Sequence, residues 1–438
     1  MLSINADFSL SCGSIKPMNA VNNGPKRARS DQTSGNRESY AEAGFPYARL
    51  HDSALYSDYG GHYTVDITGI FCDFNADETD PASYDFTNTD EYLERILSTG
   101  TKIFYRLGQS IEHTVRKHGT LPPPDFDKWA RICEHIIRHY NEGWADGYHM
   151  DIDYWEIWNE PDLDPDDAKN KRCWGGTRAE FFDLYEKTAK HLKNCFPSLK
   201  IGGPAISGKL DWAEAFLAEM RSRQVELDFF SWHVYGFAPS KVTGRARAVR
   251  ALLDKYGYTS TESILNEWNY VKDWSPNWLY SLEAEQNQKG ASFATAVMAS
   301  CQYEPVDMLM YYDARPGGMN GLFKLVTLEK GYTYWPYLAF SRLVKEGNAV
   351  PVATEGDIYG VAAKGDHSSL LLTYFNDDDS SPTEFVDIQL TGLKDGTPYE
   401  IRRLRGGEET VVRGRIGGGM LDISLKLDLF DILYFTTM

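Results

Sequence analysis

Two hydrophobic periods take turns along most of this chain. Short apolar runs of strand character recur around 17–23 ("KPMNAVNN") and at "YARLHD" (47–52), "KIFYRLG" (102–108) and "YWEIWNEP" (154–161). They continue at "KIGGPAI" (200–206), "LDFFSWHVYG" (227–236), "SILNEWNY" (263–270) and "DMLMYYDAR" (307–315). Between them lie helical patterns. "DFDKWARICEHIIRHYNEG" carries Trp129, Ile132, Cys133, Ile136 and Ile137 at spacings of three and four. "TRAEFFDLYEKTAKHLKNCF" does the same with Phe181, Leu184, Tyr185 and Leu192, and "DWAEAFLAEMRSR" and "ASFATAVMASCQYE" follow. Strand then helix, repeated eight times, predicts an α/β fold of the (β/α)8 TIM-barrel type. A doubly wound open sheet would place a Gly-rich phosphate turn after an early strand, and the sequence has none.

The period changes near residue 348. From there "PVATEGDIYGVAAKGDHSSLLLTYFNDD", "TEFVDIQLTGL", "PYEIRRLRGGEETVV", "MLDISLKL" and "FDILYFTTM" read as short alternating strands between Gly, Asp, Asn and Ser turns. This predicts an accessory antiparallel β-sandwich. The opening "LSINADFSLSCGSI" has the same texture. The expected division is a catalytic barrel over 16–347 and a sandwich made of 1–15 plus 348–438.

A length of 438 residues suits a large barrel with a smaller module, and 42% hydrophobic residues provide for a large core. The net charge of -18, from 63 acids against 45 bases, argues against a nucleic-acid or anionic-membrane partner. Six scattered cysteines form no C-x-x-C and have no histidine at metal spacing, so they read as free thiols and no metal site is expected. The start lacks a basic n-region and a long apolar run, and no stretch approaches a transmembrane helix. The chain reads as soluble, with its compartment left open.

In such a barrel, catalytic groups belong at the carboxyl ends of strands. Glu160 ends the fourth candidate strand in "WNEP", and Glu267 ends the seventh in "NEW". Strands four and seven face each other across the barrel mouth, so the two carboxylates can address one bond. Glycoside hydrolysis needs such a pair, one as acid and base and the other as nucleophile. Glu160 is expected to be protonated, raised by burial against Trp158 and by the nearby Glu267 charge. Glu267 is expected to stay ionised, with Tyr235 and Arg49 as donors. Glu156, on the same strand, reads as a structural ion pair with Arg49 or Arg106. No cofactor is required.

With these motifs in hand, the chain resembles glycoside hydrolase family 39, the retaining clan A family of β-xylosidases and α-L-iduronidases. The likeness runs through "MNAVNNGP", "RLHD", "YDFTNTDEYLERILSTGTKIFYRLG", "WEIWNEPDL", "SWHVYG" and "ILNEWNY". It implies Glu160 as acid/base, Glu267 as nucleophile, and Asn159 on the sugar 2-hydroxyl. It also implies that His51, His233 and Tyr235 line the first sugar subsite. Two places depart from the xylosidase pattern: Asn266 precedes the nucleophile, and the eighth strand reads "MYYDARPGGMNGLF". There Tyr312, Asp313 and Arg315 are expected to touch the glycone, and an Arg-bearing loop suits another pentose, a hexose or a uronate as well as xylose. Trp174, in "RCWGGT", is a candidate stacking wall, with a loop anchor as its other reading.

The resemblance implies an exo-acting glycosidase on a β-xyloside or related oligosaccharide or glycoside, and family members with this sandwich often form homo-oligomers. Two other readings stay open: an endo-acting clan A hydrolase, and a catalytically weak carbohydrate-binding protein on the same scaffold.

Overall fold

A computed structural model describes residues 2–26, 35–53 and 64–438. After a first strand β1 (Leu2–Asp7), eight parallel strands close into a barrel in chain order. They are β2 (Ala20–Asn22), β3 (Tyr47–Leu50), β4 (Lys102–Leu107), β5 (Tyr154–Ile157), β6 (Lys200–Ile206), β7 (Phe229–Gly236), β8 (Glu262–Tyr270) and β9 (Met308–Tyr311). Each overlaps a predicted apolar run, with β8 starting one residue before its own. Helices alternate with the strands, and the strongest of them match the sequence pattern: Phe126–Glu142 buries Trp129, Ile132, Cys133, Ile136, Ile137 and Tyr140. Its ends are set locally. Asp125 accepts hydrogen bonds from the amides of Asp127 and Lys128, and Gly143 stops the helix at a φ of 77°. The helix after β5, Arg178–Cys195, opens on a Thr177–Glu180 capping box.

The barrel interior is layered. Its floor is apolar: Ala20, Phe104, Tyr154, Phe229, Ile264, Met308 and Met310 pack together, with Tyr47 against them. Tyr154 donates to Glu262 Oε2 at 2.8 Å and closes the bottom. One layer up, toward the carboxyl ends, the inward side chains turn polar: Asn22, Arg49, Glu156, Ser231 and Asn266, all fully buried. Buried polar groups need partners, and this layer supplies most of them internally.

The rest of the chain forms two further sheets. β10 (Asn348–Val350), β12 (Ile358–Lys364), β13 (Ser368–Tyr374), β18 (Ile432–Thr437), β15 (Pro398–Leu404) and β16 (Glu408–Arg415) make one, in the order β10-β12-β13-β18-β15-β16. β11 (Val352–Thr354), β1, β14 (Glu384–Thr391) and β17 (Leu421–Leu427) make the other. All pairs are antiparallel except β1 with β14, which run parallel from Leu2↔Val386 to Asp7↔Thr391. Side chains of β13 alternate: Leu370 and Leu372 enter the core between the sheets, while Leu371 joins the barrel core. On that outer face Ser292, from helix Gln288–Cys301, lies 2.7 Å from Thr373 Oγ1. The sandwich is thus docked on the barrel helices through a packed face. Among the described residues no helix is long and apolar enough to cross a membrane.

Candidate active site

Two local departures from regular strand geometry aim the carboxylates. β5 ends at Ile157, and Trp158 and Glu160 adopt φ values of 73° and 45°, the left-handed region that costs non-glycine residues energy. The Glu160 amide is held there by Ala205 O at 2.9 Å. The left-handed turn breaks the alternation of the strand. As a result Trp158, expected from parity to bury Glu160, instead packs against Trp129 and Trp174, with its indole N–H donating to Cys173 O.

In β8 the register with β7 steps from Trp232↔Leu265 to His233↔Glu267, which leaves Asn266 as an extra residue, a β-bulge. Consecutive residues Asn266 and Glu267 therefore both face the barrel interior. Asn266 Nδ2 donates to Glu156 Oε1, and Glu267 reaches Arg49 and Tyr235. Trp268 turns outward onto Phe293 and Tyr311.

Arg49 is the hub. Fully buried on β3, it donates to Glu156 Oε2 at 2.7 Å, Glu267 Oε1 at 2.8 Å, Asn159 Oδ1 at 2.6 Å and Asn22 Oδ1 at 3.2 Å. Glu156 is the structural partner expected. The alternative cation, Arg106, pairs with Asp66 at 2.7 Å instead. Ser231 Oγ adds a hydrogen bond to Glu156 Oε1 at 2.6 Å, so this carboxylate is used up structurally.

The two candidate catalytic carboxylates differ in what surrounds them. Glu267 receives Arg49 Nη1 and the Tyr235 hydroxyl at 2.9 Å. Burial lifts its carboxyl above the ordinary range, an effect that His233 and Arg49 oppose and the Glu160 charge adds to. Among the described residues the Glu160 carboxyl has only His233 Nδ1, at 2.8 Å. Its carboxyl is pushed up to about 8, first by burial and next by the Asp162 charge. The dominant like charge is thus Asp162, two residues on, rather than the expected Glu267. The proton of the pair therefore belongs on Glu160 and the charge on Glu267. His233 is held neutral, lowered to about 4 chiefly by burial. One oxygen of each carboxylate and one His233 nitrogen lie within 4.8 Å of one another.

These groups open onto a cavity of about 760 Å³. Of the residues singled out from the sequence, Glu160, Glu267, His51, His233, Tyr235 and Tyr312 line it. His51 is buried with Nδ1 unpartnered among the described residues. Asn159 lies beneath, its amide oxygen taken by Arg49, which leaves Nδ2 as the end able to donate to a ligand.

Three expectations need correction. Asp313 and Arg315 do not line the cavity but stand behind it. Arg315 Nη1 donates to Asp52 O at 2.5 Å, and Nη2 lies 3.3 Å from both Tyr312 Oη and Asp313 Oδ2. Arg315 braces Tyr312 and Asp52 rather than reaching the cavity itself. Trp174 is not a cavity wall. It is buried between Trp158 and Phe181, its indole N–H donating to Thr177 O, so the loop-anchor reading holds. The reason is the same left-handed turn that sends Trp158 outward to meet it. Sequence reasoning in turn missed Trp274, 59% exposed, set edge-on against Tyr235 and lining the cavity. An exposed aromatic in the loop after the strand that carries Glu267 was the available signal.

The profile of glycosyl hydrolases family 39 matches residues 23–286, more than half of the chain. The chain belongs to this family. Within it, the family 39 chain is 32% identical over 213 residues to a β-xylosidase of Geobacillus stearothermophilus, covering 46% of this chain and 38% of that one. It is 26% identical over 206 residues to a β-xylosidase of Caldicellulosiruptor saccharolyticus, covering 44% and 37%. The match thus spans about two fifths of the length of these relatives. Among solved structures, a glucosidase from Croceicoccus marinus superposes with a TM-score of 0.79 at 21% identity, over 100% of this chain and 99% of that one. A monomeric β-xylosidase from Caulobacter crescentus gives 0.75 at 18%, with the same coverage. At such identities these structures establish the shared fold.

Proposed function

We propose that this family 39 chain is a retaining glycoside hydrolase, exo-acting on a β-xyloside or related glycoside by double displacement. One observation carries the proposal: two carboxylates with oxygens within 4.8 Å, one pushed toward its protonated form by burial and one surrounded by donors. Retaining pairs stand roughly 5–5.5 Å apart and inverting pairs about 6.5–9.5 Å, because the latter must admit a water. The close spacing favours retention.

In the first step Glu160 gives its proton to the leaving oxygen while Glu267 attacks the anomeric carbon and forms a glycosyl-enzyme bond. Glu160, now ionised, then takes a proton from water, which attacks the same carbon and releases Glu267. Arg49 and Tyr235 hold the nucleophile ionised and oriented. Neutral His233, with its proton on Nδ1, donates to Glu160 Oε1 in both protonation states, which leaves Oε2 to carry the acid proton. Asn159 Nδ2 is placed to donate to the sugar 2-hydroxyl. The β-xyloside preference rests on the relatives. Exo action rests on the brace of Arg315, Tyr312 and Asp52, which closes one side of the cavity. We also divide the chain into a catalytic unit, 16–347, and an accessory unit, 1–15 with 348–438.

Azide rescue tests the assignment. Glu267→Ala should lose hydrolysis of all glycosides, and azide should then give a glycosyl azide of inverted configuration. Glu160→Ala should lose about 10²–10⁴-fold on poor leaving groups, and far less on activated ones. There azide should give the retained configuration. Near-full activity of both variants on a natural glycoside would overturn the assignment of Glu160 and Glu267, whereas no activity of the wild type on any glycoside would leave only a carbohydrate-binding scaffold.

A further inference from the structure

The cleft has two unlike sides. On the β3 and β9 side, Asp52 and Tyr312 are tied together through Arg315, and His51 Nε2 lies 3.5 Å from Asp52 Oδ2. On the β6 and β7 side the lining is basic: Lys209, Lys241 and Arg245. Among the described residues none of these three has a carboxylate within ion-pair distance, although the chain carries 63 acids against 45 bases. Elsewhere in the molecule lysines and arginines commonly pair. Here each cation rests on a carbonyl beside the catalytic carboxylates. Lys209 Nζ donates to Asp162 O at 2.6 Å, two residues past Glu160. Lys241 Nζ donates to Tyr235 O at 2.7 Å, on the residue whose hydroxyl holds Glu267. Arg245 Nη1 donates to Gly208 O, and a Cβ at Gly208 would stand 3.1 Å from the carbonyl of His233.

The arrangement has a cost. Lys241 and Arg245 are four residues apart on helix Pro239–Lys255, a like-charge pair that weakens a helix. Both are partly desolvated, and burial lowers the proton affinity of each. Carbonyl partners do not neutralise the positive charge, and the Asp162 carboxylate bears on Arg245 without pairing with it. Three cations without an ion-pair partner converging on a cavity form a site for an anion, since charges lining a cleft focus the field within it.

We propose that the leaving-group side of this cleft is built for an aglycone carrying an anionic group, a uronate carboxylate or a sulfate ester. The inference rests on the hydrolase reading, which fixes the glycone in the braced side and the leaving group toward the basic one. The anion sits among Lys209, Lys241 and Arg245. It compensates their mutual repulsion while Glu160 protonates the glycosidic oxygen.

The test compares aryl glycosides whose phenol carries a carboxylate, its methyl ester, or a sulfonate, across a panel of glycones. The wild type should show a kcat/KM ratio of carboxylate to ester of about 3–10 at low salt, shrinking toward 1 near 0.5 M salt as screening sets in. Lys241→Met/Arg245→Met should lower that ratio by a similar factor, whereas Lys241→Arg should keep it. Because each ratio is taken within one protein, a general loss of activity cancels, and the salt series needs no variant. Equal preference for carboxylate and sulfonate supports the anion site and assigns recognition to charge alone. Preference for carboxylate only supports it and points to a uronate. A wild-type ratio at or below 1, or one that salt does not change, overturns the inference. If no glycone is cleaved in any arm, it is the hydrolase reading that fails.

Discussion

Arg49 holds together both halves of the site, so its loss should be felt twice. Arg49→Met takes the cation from two carboxylates, Glu156 and Glu267, whose side chains are 0% and 8% exposed. Breaking a buried pair by removing one member costs about 3–5 kcal/mol, because the other charge stays buried without compensation. Glu267 also loses a charge-assisted hydrogen bond worth about 1.5–3 kcal/mol. At 1.36 kcal/mol per pKa unit, that raises its pKa by about 1–2 units. Glu267 acts when ionised, so the acid limb of kcat/KM should move to higher pH by the same amount. Adding Glu156→Gln neutralises the orphaned carboxylate, so the double variant should regain most of the stability while the acid limb stays displaced. Urea unfolding at pH 7 and a pH–rate profile on one activated aryl glycoside measure the two effects separately. The reasoning fails if Arg49→Met costs less than about 1 kcal/mol, the range of an exposed pair, and leaves the acid limb in place.

Other outcomes follow from the same geometry. The kcat/KM of the wild type on a poor leaving group should fall above about pH 8 as Glu160 loses its proton, and Glu160→Gln should abolish that limb. The folded-state pKa of Glu160 lies above its unfolded value. The folded state therefore binds the extra proton, and stability declines as pH rises from the unfolded value toward 8. Glu160→Gln removes that penalty and should stabilise the protein by about 1–3 kcal/mol at pH 7 in urea unfolding, and no gain would place the proton elsewhere. Arg315→Ala should change the preference among glycones more than the rate on an activated substrate, acting through Tyr312 and Asp52, and an unchanged preference would make the brace purely structural. Trp274→Ala removes an exposed ring at the cavity edge. It should raise KM for aryl glycosides by about 2–10-fold, the range expected for one aromatic contact, and have little effect on a methyl glycoside.

How legible the molecule was in its sequence depended on whether local geometry stayed regular. The eight strand runs and the long amphipathic helices obey simple periods, so the barrel could be read directly. That Glu160 and Glu267 would meet at one cavity was legible because strand ends are where a barrel places its site, whatever their exact orientation. Orientation itself was not legible. The left-handed φ at Trp158 and the bulge at Asn266 each break the two-residue alternation on which side-chain parity depends. That is why Trp158 and Trp174 point away from the cavity, and why Asn266 and Glu267 share a face. Charge placement was harder still. Asp162 bears on Glu160, and Lys209 converges with Lys241 and Arg245 from a separate segment, which no spacing along the chain announces. Arg315 lay in the expected loop but one contact behind the cavity, because its long side chain is spent on Asp52 and Tyr312.

The central claim is that Glu267 and Glu160 act in turn on one face of the sugar. Proton NMR of the product as it forms, before mutarotation, tests this most directly. A glycoside of defined anomeric configuration is incubated with the wild-type enzyme and the first-formed anomer is read from its coupling constant. Double displacement at a pair within 4.8 Å predicts a product with the configuration of the substrate. A first-formed product of opposite configuration would contradict it, since it would require a water between the carboxylates and a single displacement.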